Sequence, residues 1–344
     1  FYRSPTLRAD PDAAYGRHVF GSVNIPVAYA TDPTLAKGRM QSILEPRIRG
    51  LFWITVALVY DKVGEQENAL KVLLDAEKTL TDWPEEEGKE VLYYFIGRQA
   101  YWLRDYNMAL DYLLHALDLN DTYVSALQSL GVTLYDRAAL FAANNPQGQA
   151  ALEGCVSQTE FDNAAATAQE AATDLAQSIS FQQEALALAQ TDASPSPRAA
   201  GLSQLALGLA YTLQGQTALQ AGDAPGALPW LSQADEQLTG AWAAFAGDEV
   251  PQFQGWTNAA RGANELVRAQ QLYATVRTPD GSINDPTAVQ EIDEHLQQSI
   301  AEFSACVDAG ALVADPVFQR EVVDCGCAVY LDLAQSARTM LVPQ

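Results

Sequence analysis

The stretch that decides the fold is Trp53–Ala76, which reads WITVALVYDKVGEQENALKVLLDA. Small residues at Ala57 and Ala69 are spaced so that two antiparallel helices can approach closely, and Tyr60 fills the space beside them. Gly64 suits the tight turn between these helices, because glycine adopts backbone angles that other residues avoid. The stretch therefore predicts a helix–turn–helix pair.

The same pattern of small, aromatic and apolar residues returns along the chain, and the third copy departs from it after its first helix. Gly97 and Gly131 are 34 residues apart, which is a known repeat length for such helix pairs. The pattern resembles the tetratricopeptide repeat superfamily in a divergent form. The predicted repeat-core residues are Trp53, Ala57, Tyr60, Ala69, Gly97, Ala109, Gly131 and Ala227.

The resemblance implies an all-α fold, a right-handed helical-repeat solenoid of antiparallel helix pairs. In that family a concave groove commonly receives a peptide. Some members bind an acidic carboxylate there with Lys and Arg, and the candidates for this role here are only Lys62 and Arg98. An acidic partner is therefore disfavoured, and a basic or neutral one fits better.

The chain divides into four predicted segments. Residues 1–47 form an irregular, extended N-terminal arm, because they contain five prolines and show no helical period. Residues 48–143 carry the best tetratricopeptide-like repeats, and 144–246 are Ala-rich helices with a further repeat. Residues 247–344 form a C-terminal helical cap.

Charge is distributed unevenly along the 344 residues, which carry a formal net charge of −23. Residues 1–49 hold seven basic and four acidic side chains, and the remainder holds 13 basic and 39 acidic ones. A mildly basic head thus precedes a strongly acidic body. Nucleic acid is a poor partner for such a body, because that binding depends on Lys and Arg neutralising phosphates. The asymmetry permits the head of one copy to meet the body of another.

Four cysteines allow disulfides. We expect Cys306 to pair with Cys325 or Cys327, with buried free thiols as the alternative. A zinc site is disfavoured, because the spacing of the cysteines and of three scattered histidines is not that of a four-ligand site. Asn120 begins the one N-glycosylation sequon, Asn-Asp-Thr, at a predicted turn.

No catalytic motif stands out. The sequence contains no Gly-rich phosphate loop after a strand and no nucleophile elbow, so we expect no enzyme activity, no cofactor and no metal. No apolar run approaches the roughly 18 residues that a membrane span needs, so no membrane insertion is expected.

The first residue is Phe, which suggests processing, and removal of a signal sequence is the ordinary route. We therefore expect a secreted or cell-surface protein that self-assembles head to tail as a structural subunit of a filament or surface assembly. The arm could pack on its own body, and we favour a contact with the body of the next copy. The predicted assembly residues in the arm are Phe1, Tyr2, Arg3, Arg8, Arg17, Phe20, Ile25 and Tyr29. Alternatives are an adaptor that holds a different protein in its groove, and a sensor domain that has lost its effector part.

Overall fold

The computed structural model of the chain describes residues 33–83, 88–145, 148–149, 152–191, 196–246, 250–279, 281–315 and 318–341. Throughout these ranges the chain forms helices joined by turns, with no strand. The expected all-α class is therefore confirmed. The chain divides into two compact units, which within the described ranges comprise residues 33–133 and 134–341.

The first unit consists of consecutive helices that pack in adjacent pairs, α1 on α2, α2 on α3 and α3 on α4. Its helices are α1 (Pro33–Lys62), α2 (Gln66–Thr79), α3 (Glu90–Trp102), α4 (Tyr106–Leu119) and the first residues of α5 (Val124–Ala143). Very short connections join α1 to α2 and α3 to α4, so the members of each pair run antiparallel.

The second unit continues the same arrangement of neighbouring helices. After the end of α5 its elements are α6 (Gln158–Asp162), α7 (Ala168–Thr191), α8 (Pro197–Gln220), α9 (Ala224–Phe245), α10 (Pro251–Val276), α11 (Pro286–Gly310), a π-helical segment (Gln319–Ala328) and α12 (Val329–Leu341). Its core contains five large aromatic side chains, each at most 4% exposed: Phe245, Phe253, Trp256, Phe303 and Phe318.

Three turns within helix pairs share one backbone geometry. Gly64, Arg104 and Gly222 adopt left-handed conformations with φ of 86°, 64° and 82°, which glycine tolerates best. In each turn the next residue, an acid, donates its backbone N–H to a carbonyl five residues earlier, as in Glu65 to Tyr60, Asp105 to Ala100 and Asp223 to Ala218. This is the hydrogen bond of a Schellman turn. The repeating turn therefore supports the helix-pair pattern read from the sequence.

Seven residues before two of these turns, glycines bring the paired helices together. A Cβ atom on Gly97 would lie 2.8 Å from Leu113, and one on Gly215 would lie 2.7 Å from Leu231. Ala57 occupies the corresponding position in the first pair and is 2% exposed. Small residues at this position thus allow the close helix approach that the sequence predicted.

The structure corrects the start of the first helix. The helix α1 begins at Pro33, so the part of the predicted arm from residue 33 to 47 is helical, and residues 1–32 lie outside the described residues. Pro33 fits the first helical turn, where its missing N–H costs nothing, and the helix continues through Pro46. The buried stripe of α1 does not stand out as an apolar pattern in the sequence, because two of its members, Arg47 and Gly50, have no apolar side chain.

Candidate protein-binding surfaces

One side of α1 exposes large apolar side chains in a continuous stripe. Ile48, Leu51, Phe52 and Val59 have exposed fractions of 62, 46, 59 and 61%. Their spacing places all four on one side of the helix, and we call these four residues the head face. Soluble proteins rarely expose contiguous apolar residues unless the surface binds something. The head face is therefore the first candidate surface.

The opposite side of α1 packs against its own unit. Ile43, Arg47, Gly50, Ile54 and Ala57 are buried at successive turns of the helix. Since the buried side already anchors the helix, the head face is not needed to hold α1 in place.

Two of the predicted repeat-core residues lie outside the core. Trp53 and Tyr60 are each 38% exposed, so their assignment to the core was wrong. The remaining predicted core residues are buried as expected: Ala57, Ala69, Gly97, Ala109, Gly131 and Ala227.

Basic side chains accompany the head face. The sequence of α1 contains five basic and two acidic side chains, a net charge of +3. Lys37 and Lys62 are exposed, while Arg49 pairs with Asp82 of the same unit. The first candidate surface is thus both apolar and basic.

Near the end of the second unit lies an open apolar cavity of about 480 Å³, which we call the tail cavity. Its walls come from α10, the turn before α11, α11 and α12, through Tyr273, Ile283, Ile292, Leu333 and Met340. The last two are 48% and 79% exposed. The cavity volume is that of an ordinary binding site, so the tail cavity is the second candidate surface.

Polar contacts hold the walls of the tail cavity in position. The Arg338 guanidinium on α12 donates to Asp293 on α11 at 2.6 Å, and this hydrogen bond lowers the pKa of the Asp293 carboxyl. The Tyr273 hydroxyl donates to the backbone carbonyl of Gly281 at 3.0 Å. The cavity is therefore shaped by the fold before any partner arrives.

All four cysteines form disulfides. Cys306 pairs with Cys327, which confirms one of the two predicted pairings, and Cys325 pairs with Cys155. The second bridge was not predicted, although a signal for it exists in the sequence. Residues two apart on a helix face different directions, so Cys325 and Cys327 need different partners. Both bridges hold the π-helical segment in the second unit.

The other predicted sites have varied outcomes. The eight arm residues from Phe1 to Tyr29 lie outside the described residues. Asn120 is half-buried at the end of α4, and its side-chain oxygen accepts from the Thr122 hydroxyl at 3.0 Å. Its glycosylation stays a prediction.

Titratable side chains form pairs across the described helices. His115 stacks on Tyr93 with ring centroids 4.3 Å apart, and His295 Nδ1 lies 2.6 Å from a carboxylate oxygen of Glu265. Within the described ranges, no group of three or more His, Cys, Asp and Glu side chains has an arrangement able to hold a metal ion. Among the described helices, none combines the length and apolar character that a bilayer crossing requires.

Asp174 on α7 is a buried acid beside a basic residue of α5. Its Oδ2 lies 3.3 Å from Nε of Arg137, which also pairs with Glu170. Burial raises the pKa of Asp174 from 3.8 to about 6, since desolvation outweighs the opposing attraction of Arg137. The charged form of Asp174 therefore destabilises the folded second unit.

The Asp174→Asn substitution is expected to change how stability depends on pH. The folded state retains the Asp174 proton to a higher pH than the unfolded chain does, so its contribution is fully present below about pH 4 and is lost as pH rises to about 6. At about 1.4 kcal/mol per pKa unit, the loss is on the order of 2–3 kcal/mol. Urea unfolding of both proteins between pH 3.5 and 7 measures it. A stability difference that is constant over this range would contradict the assignment.

The sequence matches no protein-family model, and no curated protein is significantly similar to it.

Proposed function

We propose that this chain is a non-enzymatic, tetratricopeptide-like protein that assembles with further copies of itself, as a structural subunit of a filament or surface assembly outside the cell. The observation that carries the proposal is the head face. Four large apolar side chains on one side of α1 are 46–62% exposed, and association removes such surface from water at a gain of about 25 cal/mol per Å².

Charge supports a second copy as the partner. The head of the chain, residues 1–49, is basic, whereas the remaining residues hold 39 acids against 13 bases. Opposite charges on two surfaces of the same chain accelerate their encounter and fix their orientation. The predicted arm precedes α1 in the chain and belongs to this basic head.

A contact between two different surfaces of identical copies is heterologous. Such contacts repeat from copy to copy and generate rings or open filaments. In the proposal, the repeats form a right-handed solenoid whose first helix pair lies against the body of the next copy.

The disulfides support a location outside the reducing cytosol. Cys155–Cys325 and Cys306–Cys327 link residues 170 and 21 positions apart. Disulfides of this structural kind persist in secreted proteins, in the periplasm and at cell surfaces. Secretion or surface display is therefore part of the proposal.

A substitution on the head face tests the proposal. Phe52→Glu places a carboxylate where the contact would exclude water, so we expect self-association to weaken at least tenfold. Size-exclusion chromatography with light scattering over a range of concentrations measures the association constant.

Leu114→Glu is the matched control, because Leu114 is 45% exposed on α4 of the same unit but is not part of the head face. We expect this variant to associate as the unsubstituted chain does. Equal association by the Phe52→Glu variant and the unsubstituted chain would refute a role for the head face. Loss of association in both variants would point to a contact spread over the whole unit.

A further inference from the structure

We propose that the tail cavity of one copy receives the head face of the next copy. This inference rests on the proposed self-assembly and identifies the surface that the head face binds. The two surfaces are chemically matched. The head face presents large apolar side chains on a basic helix, and the tail cavity presents an apolar hollow beside the acidic helix α11, which carries five acidic residues and no Lys or Arg.

The charge of the region around the tail cavity complements that of α1. Residues 251–341, which include the walls of the tail cavity, contain twelve acidic and five basic side chains, a net charge of −7, against +3 for α1. Four of the five basic residues are engaged: Arg338 binds Asp293, Arg261 pairs with Glu302, and Arg268 and Arg320 donate to the carbonyls of Leu231 and Gly154. Glu291, Glu294 and Asp332 on the same helices are exposed. A basic apolar helix is therefore a better occupant than an acidic one.

The shape of the tail cavity also suits protruding side chains. Two of its lining residues are strongly exposed, Met340 at 79% and Leu333 at 48%, and they border its opening. Methionine adapts its conformation to an incoming apolar group because it is unbranched and flexible. Phe52, with 59% of its surface exposed, is the largest side chain of the head face and the natural anchor.

A complementation experiment tests the pairing. Each of the two variants Phe52→Glu and Met340→Glu loses one surface and keeps the other. We expect self-association of each variant alone to be at least tenfold weaker than that of the unsubstituted chain. At a concentration where the unsubstituted chain begins to associate, each variant should therefore show the 37.2 kDa chain mass. Mixed in equal amounts, they should form a heterodimer of twice that mass and stop there, because the remaining head and tail are both disabled.

Leu312→Glu is the matched control at the tail, because Leu312 is 75% exposed but does not line the cavity. It should associate normally, and circular dichroism of every variant should match that of the unsubstituted chain.

The outcomes separate this inference from the proposed function. If the Met340→Glu variant associates as well as the unsubstituted chain, the tail cavity is not the partner surface, although self-assembly stands. If the mixed variants remain monomeric, the head face and tail cavity do not bind each other. If the unsubstituted chain is itself monomeric at every concentration, the proposed function fails as well. If the cavity instead takes up an apolar dye that self-association does not displace, a small apolar ligand is its occupant.

Discussion

Replacing both Cys155 and Cys325 with alanine is expected to lower the free energy of unfolding of the second unit by about 5 kcal/mol. The bridge links residues 170 positions apart, so its loss frees a long loop in the unfolded chain. Urea unfolding followed by circular dichroism measures the change. A loss of this size is a large part of the 5–15 kcal/mol that stabilises a typical domain.

The second disulfide provides the control. Cys306 and Cys327 are 21 positions apart, and the same relation gives a loss of about 3 kcal/mol for their replacement by alanine. The difference of about 2 kcal/mol between the two double variants follows from loop length alone. Equal losses, or a larger loss for the shorter loop, would contradict the pairing of Cys155 with Cys325.

The Gly50→Ala substitution should destabilise the first unit by about 1–3 kcal/mol. A Cβ atom on Gly50 would lie 2.0 Å from the Trp83 ring. Trp83 is only 1% exposed, so it is held on all sides and cannot move away without disturbing its neighbours. The contact also explains why Trp83, which lies in the connection between α2 and α3, is part of the core.

Gly38→Ala on the same helix is the matched control. Nothing lies within 4 Å of the added Cβ, and alanine favours the helix over glycine by roughly 0.5–1 kcal/mol. We therefore expect Gly38→Ala to stabilise the unit slightly, opposite in sign to Gly50→Ala. Thermal unfolding of both variants measures the two effects. If both substitutions stabilise the unit, the packing of Trp83 over Gly50 is not as the structure has it.

Much of the fold could be predicted from the sequence, because helix pairing leaves a local signal. Ala69 and Ala109 each follow a left-handed turn residue, Gly64 and Arg104, by five positions, and both are fully buried. Arg104 occupies the turn position that glycine holds in two other pairs. A pattern search centred on glycine alone therefore misses this turn, although its acid neighbour Asp105 is present.

The errors at the first helix have one physical origin. Proline is disfavoured inside a helix, so Pro46 made the sequence favour a helix start at residue 48, two residues before Gly50. In the structure both residues lie on the buried side of α1. The missing side chain of Gly50 leaves room for the Trp83 ring. Tertiary contacts outweigh local helix propensity at these positions.

Neither candidate surface could be found from sequence periodicity alone. The head face lies on a helix that is apolar on both sides, so its outer residues look like core residues until the buried side is known. The tail cavity joins Tyr273, Ile292 and Met340, which are distant in the sequence and meet only through the packing of three helices. The basic head and the acidic body could be identified from the sequence, because the number of charged residues in a segment does not depend on the fold.

The central claim is that copies of this chain bind one another through the head face. Sedimentation equilibrium of the full, unsubstituted chain, from low micromolar concentration upwards and at low and high salt, tests it most directly. We predict an average mass that rises above 37.2 kDa with concentration, and that rises less steeply at high salt because opposite charges contribute. A mass that stays at 37.2 kDa at every concentration and in both salts would contradict self-assembly.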